Sequence, residues 1–127
     1  MDSGNRESEE SVRHFCFAEM EEERMSENLS RKLVVGKNEM LGYVLLKKGC
    51  VVPAHSHVSE QITFILKGAL EFTTQGKQIV VKEGETLVIP PNVEHSAVAL
   101  DDTIDLDCFS PLREDWLNGQ DHYLRGK

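Results

Sequence analysis

The stretch "GCVVPAHSHVSEQITFILKG", residues 49–68, decides how this chain is read. Glycines bracket it, and inside it His55 and His57 stand at i and i+2, followed by Glu60 and Gln61. A β-strand turns alternate side chains to one face, so the two imidazoles point the same way. On the inner face of a barrel, two such nitrogens converge on one cation. A single histidine beside a strand is more often a hydrogen-bonded structural residue, and the pairing is what separates the two readings.

The same parity separates Glu60 from Gln61. If the strand runs on from His57, Gln61, Thr63 and Ile65 share the face of the histidines, while Glu60 and Ile62 face outward. A β-bulge or a turn at Val58-Ser59 resets that count; without one, Gln61 is the oxygen ligand. The choice sets the charge of the site. Three imidazoles with a carboxylate leave one positive charge of a divalent cation uncompensated, whereas three imidazoles with a glutamine oxygen leave two. The second arrangement favours an anionic guest, such as a small carboxylate, and lowers the pKa of bound water further.

Outward from this stretch the pattern is β throughout. "KLVVG" and "EMLGYVLLKKG" precede it. Further short apolar runs follow, broken at Lys67-Gly68, Gln75-Gly76-Lys77, Glu83-Gly84-Glu85, Pro90-Pro91-Asn92 and Asp101-Asp102. Short runs punctuated by glycine and proline predict an all-β antiparallel sandwich or barrel. Upstream, "HFCFAEM" alternates Phe15 and Phe17 and reads as a short strand; "EMEEERMSENLS" fits a helical turn or a loop equally well. Downstream, Ser110-Pro111 is a cap-plus-first-turn pair that predicts a short C-terminal helix over residues 112–117. Trp116 and Tyr123 are expected to pin the tail to the barrel.

The whole-chain properties exclude several classes. The 127 residues suffice for one domain, taken as residues 13–127 behind a disordered acidic leader at residues 1–12. Residues 1–30 carry nine acids and three arginines, a net −6 out of a formal −8. With no basic face, nucleic acid is a poor partner. No run approaches the roughly 18 apolar residues of a membrane span. The polar, acidic start "MDSGNRESEESVRH" is no secretory signal. Cys16, Cys50 and Cys108 are an odd number without paired spacing, which suits a reducing, cytoplasmic setting. Cys50 and Cys108 read as small apolar fillers. His14 and His122 lie in polar termini with no partner to name.

Two spacings carry a family resemblance. The first runs Gly49, five residues, His55-Ser56-His57, three residues, Gln61, six residues, Gly68. The second runs Gly84, five residues, Pro90-Pro91-Asn92, two residues, His95. Together they resemble the two motifs of the cupin superfamily. In place of the acidic ligand stands Gln61, and in place of a glycine stands Asn92, the other residue that tolerates positive φ. The resemblance implies a double-stranded β-helix, or jelly-roll, barrel over nearly residues 30–112. It also implies one divalent transition metal (Zn, Ni, Fe, Mn, Co or Cu) on His55, His57, Gln61 and His95. A homodimer through sheet edges is a further family-level expectation, with the Phe15–Phe17 segment supplying an added strand.

Within the superfamily, the chain is similar to small pectin-degradation cupins that open the ring of unsaturated uronates. "DCFSPLR", residues 107–113, sets Asp107, Phe109 and Arg113 on that group's active-site positions, with Leu112 replacing a proline. The resemblance thus implies a metal-dependent sugar-acid enzyme. Asp107 would be its general acid or base, and Arg113 would clamp a carboxylate. An iron dioxygenase and a non-catalytic binding cupin are the competing functions. Plainer placements exist as well. Asp107 alternates with Ile104, Leu106 and Cys108 and would face solvent if those aliphatics fill the core. Arg113 would be a surface residue if it only pairs Glu114 or Asp115. Phe109 is wall or core under either reading.

Overall fold

A computed structural model describes residues 11–125 of the chain. The leader expected at residues 1–12 therefore lies almost entirely outside the described residues. The described residues hold ten strands: β1 Glu23–Arg24, β2 Leu29–Val35, β3 Met40–Leu46, β4 Val51–His55, β5 Glu60–Lys67, β6 Ala69–Thr74, β7 Lys77–Lys82, β8 Thr86–Ile89, β9 His95–Ala99 and β10 Thr103–Ser110. They form a six-stranded sheet, β1-β2-β3-β10-β5-β8, and a four-stranded sheet, β4-β9-β6-β7. Every strand pair is antiparallel. The two sheets face each other as the expected jelly-roll, and Val35, Met40, Ile65, Leu70 and Phe109 fill the space between them. No helix among the described residues is long and apolar enough to cross a membrane.

Two turns need their particular residues. Gly68 joins β5 to β6 at φ +86°, and an added Cβ there would lie 2.4 Å from the Asp102 carbonyl oxygen. Only glycine fits so close an approach. Asn92 adopts φ +64°, as its place in the second motif predicts.

Three local expectations are corrected. Phe15 and Phe17 form no strand; Phe17–Glu19 is a single 3-10 turn. Phe17 is held by side-chain docking instead of a ladder: its ring stacks on Tyr43 at 4.6 Å, and its carbonyl accepts from Lys32 Nζ at 2.7 Å. In the segment read as helical turn or loop, residues 23–24 pair with β2. At the other end, the helix is Glu114–Leu117 with Arg113 at its N-cap, so Ser110 caps nothing. Ser110 still belongs to β10, and its hydroxyl donates to the Asn38 carbonyl.

β10 settles the placement of Asp107. Its burial alternates, with Thr103, Asp105, Asp107 and Phe109 buried and Ile104, Leu106 and Cys108 only partly so. The aliphatics of this strand turn outward and its acids turn in, the reverse of the plainer reading. Asp107 is 5% exposed and Arg113 3%, so neither is a surface residue.

Candidate metal centre

The strands bring the three barrel histidines together. His55 ends β4 and pairs directly with His95, the first residue of β9. His57 lies two residues past the strand, and Gln61 is the second residue of β5. The strand does not run on from His57: Val58 and Ser59 bend between β4 in the smaller sheet and β5 in the larger, and Gln61 nonetheless turns inward. Gln61, Thr63 and Ile65 are buried while Glu60 and Ile62 are exposed. Imidazole centroids lie 4.3 Å apart for His55–His95, 5.0 Å for His57–His95 and 5.6 Å for His55–His57. One ring nitrogen from each can be chosen so that all lie within 4.8 Å of one another.

The backbone sets the tautomer of each ring. Nδ1 of His55, His57 and His95 lies 2.8, 2.9 and 2.9 Å from the carbonyls of Pro53, Ser59 and Val93. A carbonyl only accepts, so each Nδ1 carries the proton and each Nε2 presents a lone pair. Burial then holds the rings neutral. It lowers the pKa of His55 and His57 to about 4 and lowers that of His95, and the Arg113 guanidinium adds to the effect in all three.

The oxygen opposite them is oriented as firmly. Gln61 Nε2 donates to Thr63 Oγ1 at 2.8 Å and towards Asp107 Oδ1 at 3.4 Å, which leaves Oε1 facing His57 Nε2 at 3.1 Å. Two acceptors thus meet without a proton between them, and His95 Nε2 is buried with no hydrogen-bond partner among the described residues. Unpaired lone pairs in a buried site are costly. A cation bound by all four atoms removes that cost, so these residues fit a divalent metal.

A carboxyl pair lies beside this group. Thr63 Oγ1 donates to Asp107 Oδ1 at 2.7 Å, completing a chain from Gln61 through Thr63 to Asp107. Burial raises the pKa of Asp107, opposed by bonds from Asp105 and Thr63 and by the charge of Arg113. Asp105, two residues earlier on the same face, is raised well above the carboxylate range by burial and then by the Asp107 charge. Asp105 is therefore the protonated member and Asp107 the acceptor.

The far wall comes from the C-terminal tail. Arg113 grips Asp115 through Nε at 3.0 Å and Nη2 at 2.8 Å, and its guanidinium lies over Phe109 and Trp116 at 5.0 and 4.9 Å. Phe109 meets His57 edge-on at 5.7 Å. Tyr123 stacks on His55 at 4.3 Å, and its oxygen accepts from Arg113 Nη2 and from Trp116 Nε1. A phenol oxygen has two acceptor positions; with both taken, its own hydrogen is the group left to donate. Between these walls lies a cavity of about 50 Å³ lined by His55, Gln61, His95, Asp107, Arg113 and Tyr123, among others.

Sequence reasoning brought His55, His57, Gln61, His95, Asp107, Phe109 and Arg113 forward, and the fold gathers all seven around this space. It missed Asp105 and gave Tyr123 and Trp116 only a packing role. Alternation marks Asp105 once Asp107 is placed inward, but no periodic signal reaches Tyr123. Outside the site, Cys50 is buried, and Cys16 and His122 are exposed.

Comparison with known proteins agrees with this architecture. A family model described as "Cupin domain" matches residues 42–110. The pectin degradation protein KdgF of Dickeya dadantii (strain 3937) is 28% identical over 108 residues, covering 83% of this chain and 98% of that protein. The solved structure of KdgF from Halomonas sp. superposes with a TM-score of 0.79 at 29% identity, covering 84% of this chain and 99% of that one. An RmlC-like cupin from Shewanella frigidimarina NCIMB 400 does so with a TM-score of 0.76 at 29% identity, covering 83% and 96%.

Proposed function

The chain belongs to the cupin family, and we propose that it is a metal-dependent enzyme that opens the ring of a small anionic sugar acid, an unsaturated uronate. The observation that carries this reading is the chain Gln61–Thr63–Asp107, which ties a buried carboxyl group to a metal-ligand candidate. The link of similar proteins to pectin degradation supports a uronate as the substrate class.

His55, His57 and His95 through Nε2, with Gln61 through Oε1, would hold a divalent transition metal. When bound, that ion supplies Lewis-acid polarisation of a substrate oxygen. Asp107 Oδ1 takes the proton of the substrate's anomeric hydroxyl. The C1–O5 bond breaks, an aldehyde forms at C1, and O5 leaves as the enolate oxygen on C5. Protonation at C4 from the Asp107 carboxyl turns the enolate into a 5-ketone, so the product is an isomer of the substrate. Arg113 and the free Tyr123 hydroxyl hydrogen bind the substrate carboxylate; a planar guanidinium suits that group. Ligand pockets commonly exceed about 300 Å³, and the cavity here is about 50 Å³. Tyr123 therefore swings off His55 as the sugar enters.

The test follows the ultraviolet absorbance of a 4,5-unsaturated uronate with metal-loaded protein. Loss of the double-bond signal in wild type, abolished in Asp107→Asn with metal content unchanged, is expected. A flat trace from fully metallated protein would sink the uronate assignment. Equal turnover with and without oxygen separates ring opening from a dioxygenase.

A further inference from the structure

One buried acid of β10 has no part in the chemistry above. Asp105 is 5% exposed and shares the inward face with Asp107 and Phe109. Register sets it between Val44 on β3 and Ile65 on β5, both apolar, whereas Asp107 lies beside Thr63. Asp105 lines the same cavity as Gln61 and Asp107, together with the apolar Val44, Leu70 and Phe72. Its hydrogen goes to the Asp107 carboxylate, and no donor among the described residues reaches its Oδ1. A carboxyl group keeps acceptor capacity after its hydrogen is given away. Burying such a group without a donor is costly, and side chains that carry this cost concentrate at functional sites.

We propose that Asp105 determines specificity at this site: its carboxyl group accepts a hydrogen bond from the substrate hydroxyl at C2. The assignment rests on the ring-opening reading above and follows from the order of groups along β10. The Arg113 guanidinium lies over Phe109, beyond Asp107 towards the end of the strand. Two residues of rise in the opposite direction put the Asp105 backbone about 7 Å from that of Asp107. A substrate held by its carboxylate at Arg113 and worked on by Asp107 therefore meets Asp105 with the part farthest from that carboxylate. In a pyranose ring C2 stands opposite C5, which bears the carboxylate, and C1 stands opposite C4. Asp107 serves C1 and C4, so the C2 hydroxyl is the donor that faces Asp105.

The contact discriminates between ligands. A buried acceptor with no protein donor rejects a ligand that lacks the matching hydroxyl, because the acceptor then stays unpaired. The site thus selects a sugar acid that keeps its C2 hydroxyl over one deoxygenated there. Asp105→Asn preserves the selection, since an amide offers an oxygen for the hydroxyl and a hydrogen for Asp107. Asp105→Leu offers neither and suits the apolar neighbours Val44 and Ile65.

Calorimetry on the metal-loaded full chain with galacturonate and its 2-deoxy analogue tests the contact without turnover, since neither probe has the 4,5 double bond. Wild type should bind galacturonate about tenfold more tightly than the analogue, the size of one hydrogen bond. Asp105→Asn should keep that preference and Asp105→Leu should lose it, with circular dichroism and metal content unchanged. A residue with a packing role alone would weaken both probes alike. Infrared spectra give a second readout in wild type. The carbonyl stretch of the un-ionised Asp105, identified by its loss in Asp105→Asn, should move to lower frequency with galacturonate and stay in place with the analogue. A wild type indifferent to the C2 hydroxyl overturns the proposal, as does failure to bind either probe, an unmoved stretch, or an Asp105→Leu variant that retains the preference. A preference that depends on Asp105, in a protein that turns over no unsaturated uronate, upholds the contact and removes only the ring opening.

Discussion

The ring of Tyr123 lies on the imidazole of His55, centroids 4.3 Å apart with 27° between the planes. A residue of the C-terminal tail thus roofs a candidate metal ligand on β4. Its hydroxyl, already accepting from Arg113 and Trp116, has only its hydrogen left to offer. Tyr123→Phe keeps the stack and loses that donor. A rise in KM of about tenfold with little change in kcat is expected, the size of one hydrogen bond to a charged group. An unchanged KM in steady-state kinetics would remove Tyr123 from substrate binding.

Gln61→Glu exchanges a neutral ligand for an anionic one. Metal affinity should rise in competition with a chelator, because one charge of the ion is now compensated. Binding of a non-reacting carboxylate to the metal-loaded protein should weaken by the same logic. Calorimetry showing carboxylate binding stronger in the variant would contradict the charge argument.

The pH dependence has two opposed parts. His55 and His57 titrate at about 4 in the folded protein, against an ordinary 6.5. Between those values the unfolded chain binds protons that the folded one refuses. The histidines therefore make the metal-free protein lose stability as pH falls from about 6.5 to about 4. Asp105 works the other way. Its folded pKa is raised, so above about 3.8 the unfolded chain ionises while the folded one keeps its proton, and stability is lost as pH rises. Asp105→Asn removes that cost. Melting of the metal-free variant should exceed wild type above pH 5 and converge with it near pH 3.

Arg31 and Asp121 form a fully buried ion pair at 2.6 Å that ties the tail to β2. Asp121→Ala leaves a buried guanidinium short of its nearest partner, although Glu23 still reaches its Nε. A loss of about 3 kcal/mol in urea unfolding is expected, with Tyr123 released from His55. Arg31→Met combined with Asp121→Leu should recover most of it. A single variant as stable as wild type would show that the pair does not hold the tail.

How much of this was legible beforehand follows from the range of each signal. Counting by twos from the histidines put Gln61 and not Glu60 on the inner face, although the chain bends at Val58-Ser59 on its way to β5; the alternation that holds is the one within β5 itself. The glycine-punctuated runs determined an all-β antiparallel sandwich or barrel, and the resemblance of the two spaced motifs to the cupin superfamily implied the jelly-roll and the gathering of His95 with the pair. Local rules failed where side chains from distant segments compete. The alternation of Phe15 and Phe17 reads as a strand, yet docking of Phe17 on Tyr43 made it a turn. On β10, parity alone allows either the acids or the aliphatics to face inward. The donors of Thr63 and Gln61, on a neighbouring strand, make the acids the buried set. Tyr123 reaches His55 through Arg31 and Asp121, an ion pair between residues 90 positions apart. The sequence by itself determined the all-β sandwich or barrel, which rests on backbone periodicity, and its resemblance to the cupin superfamily implied the candidate ligand set. Only the tertiary structure decided the roof and the inverted strand, since each depends on which distant polar group satisfies a buried charge.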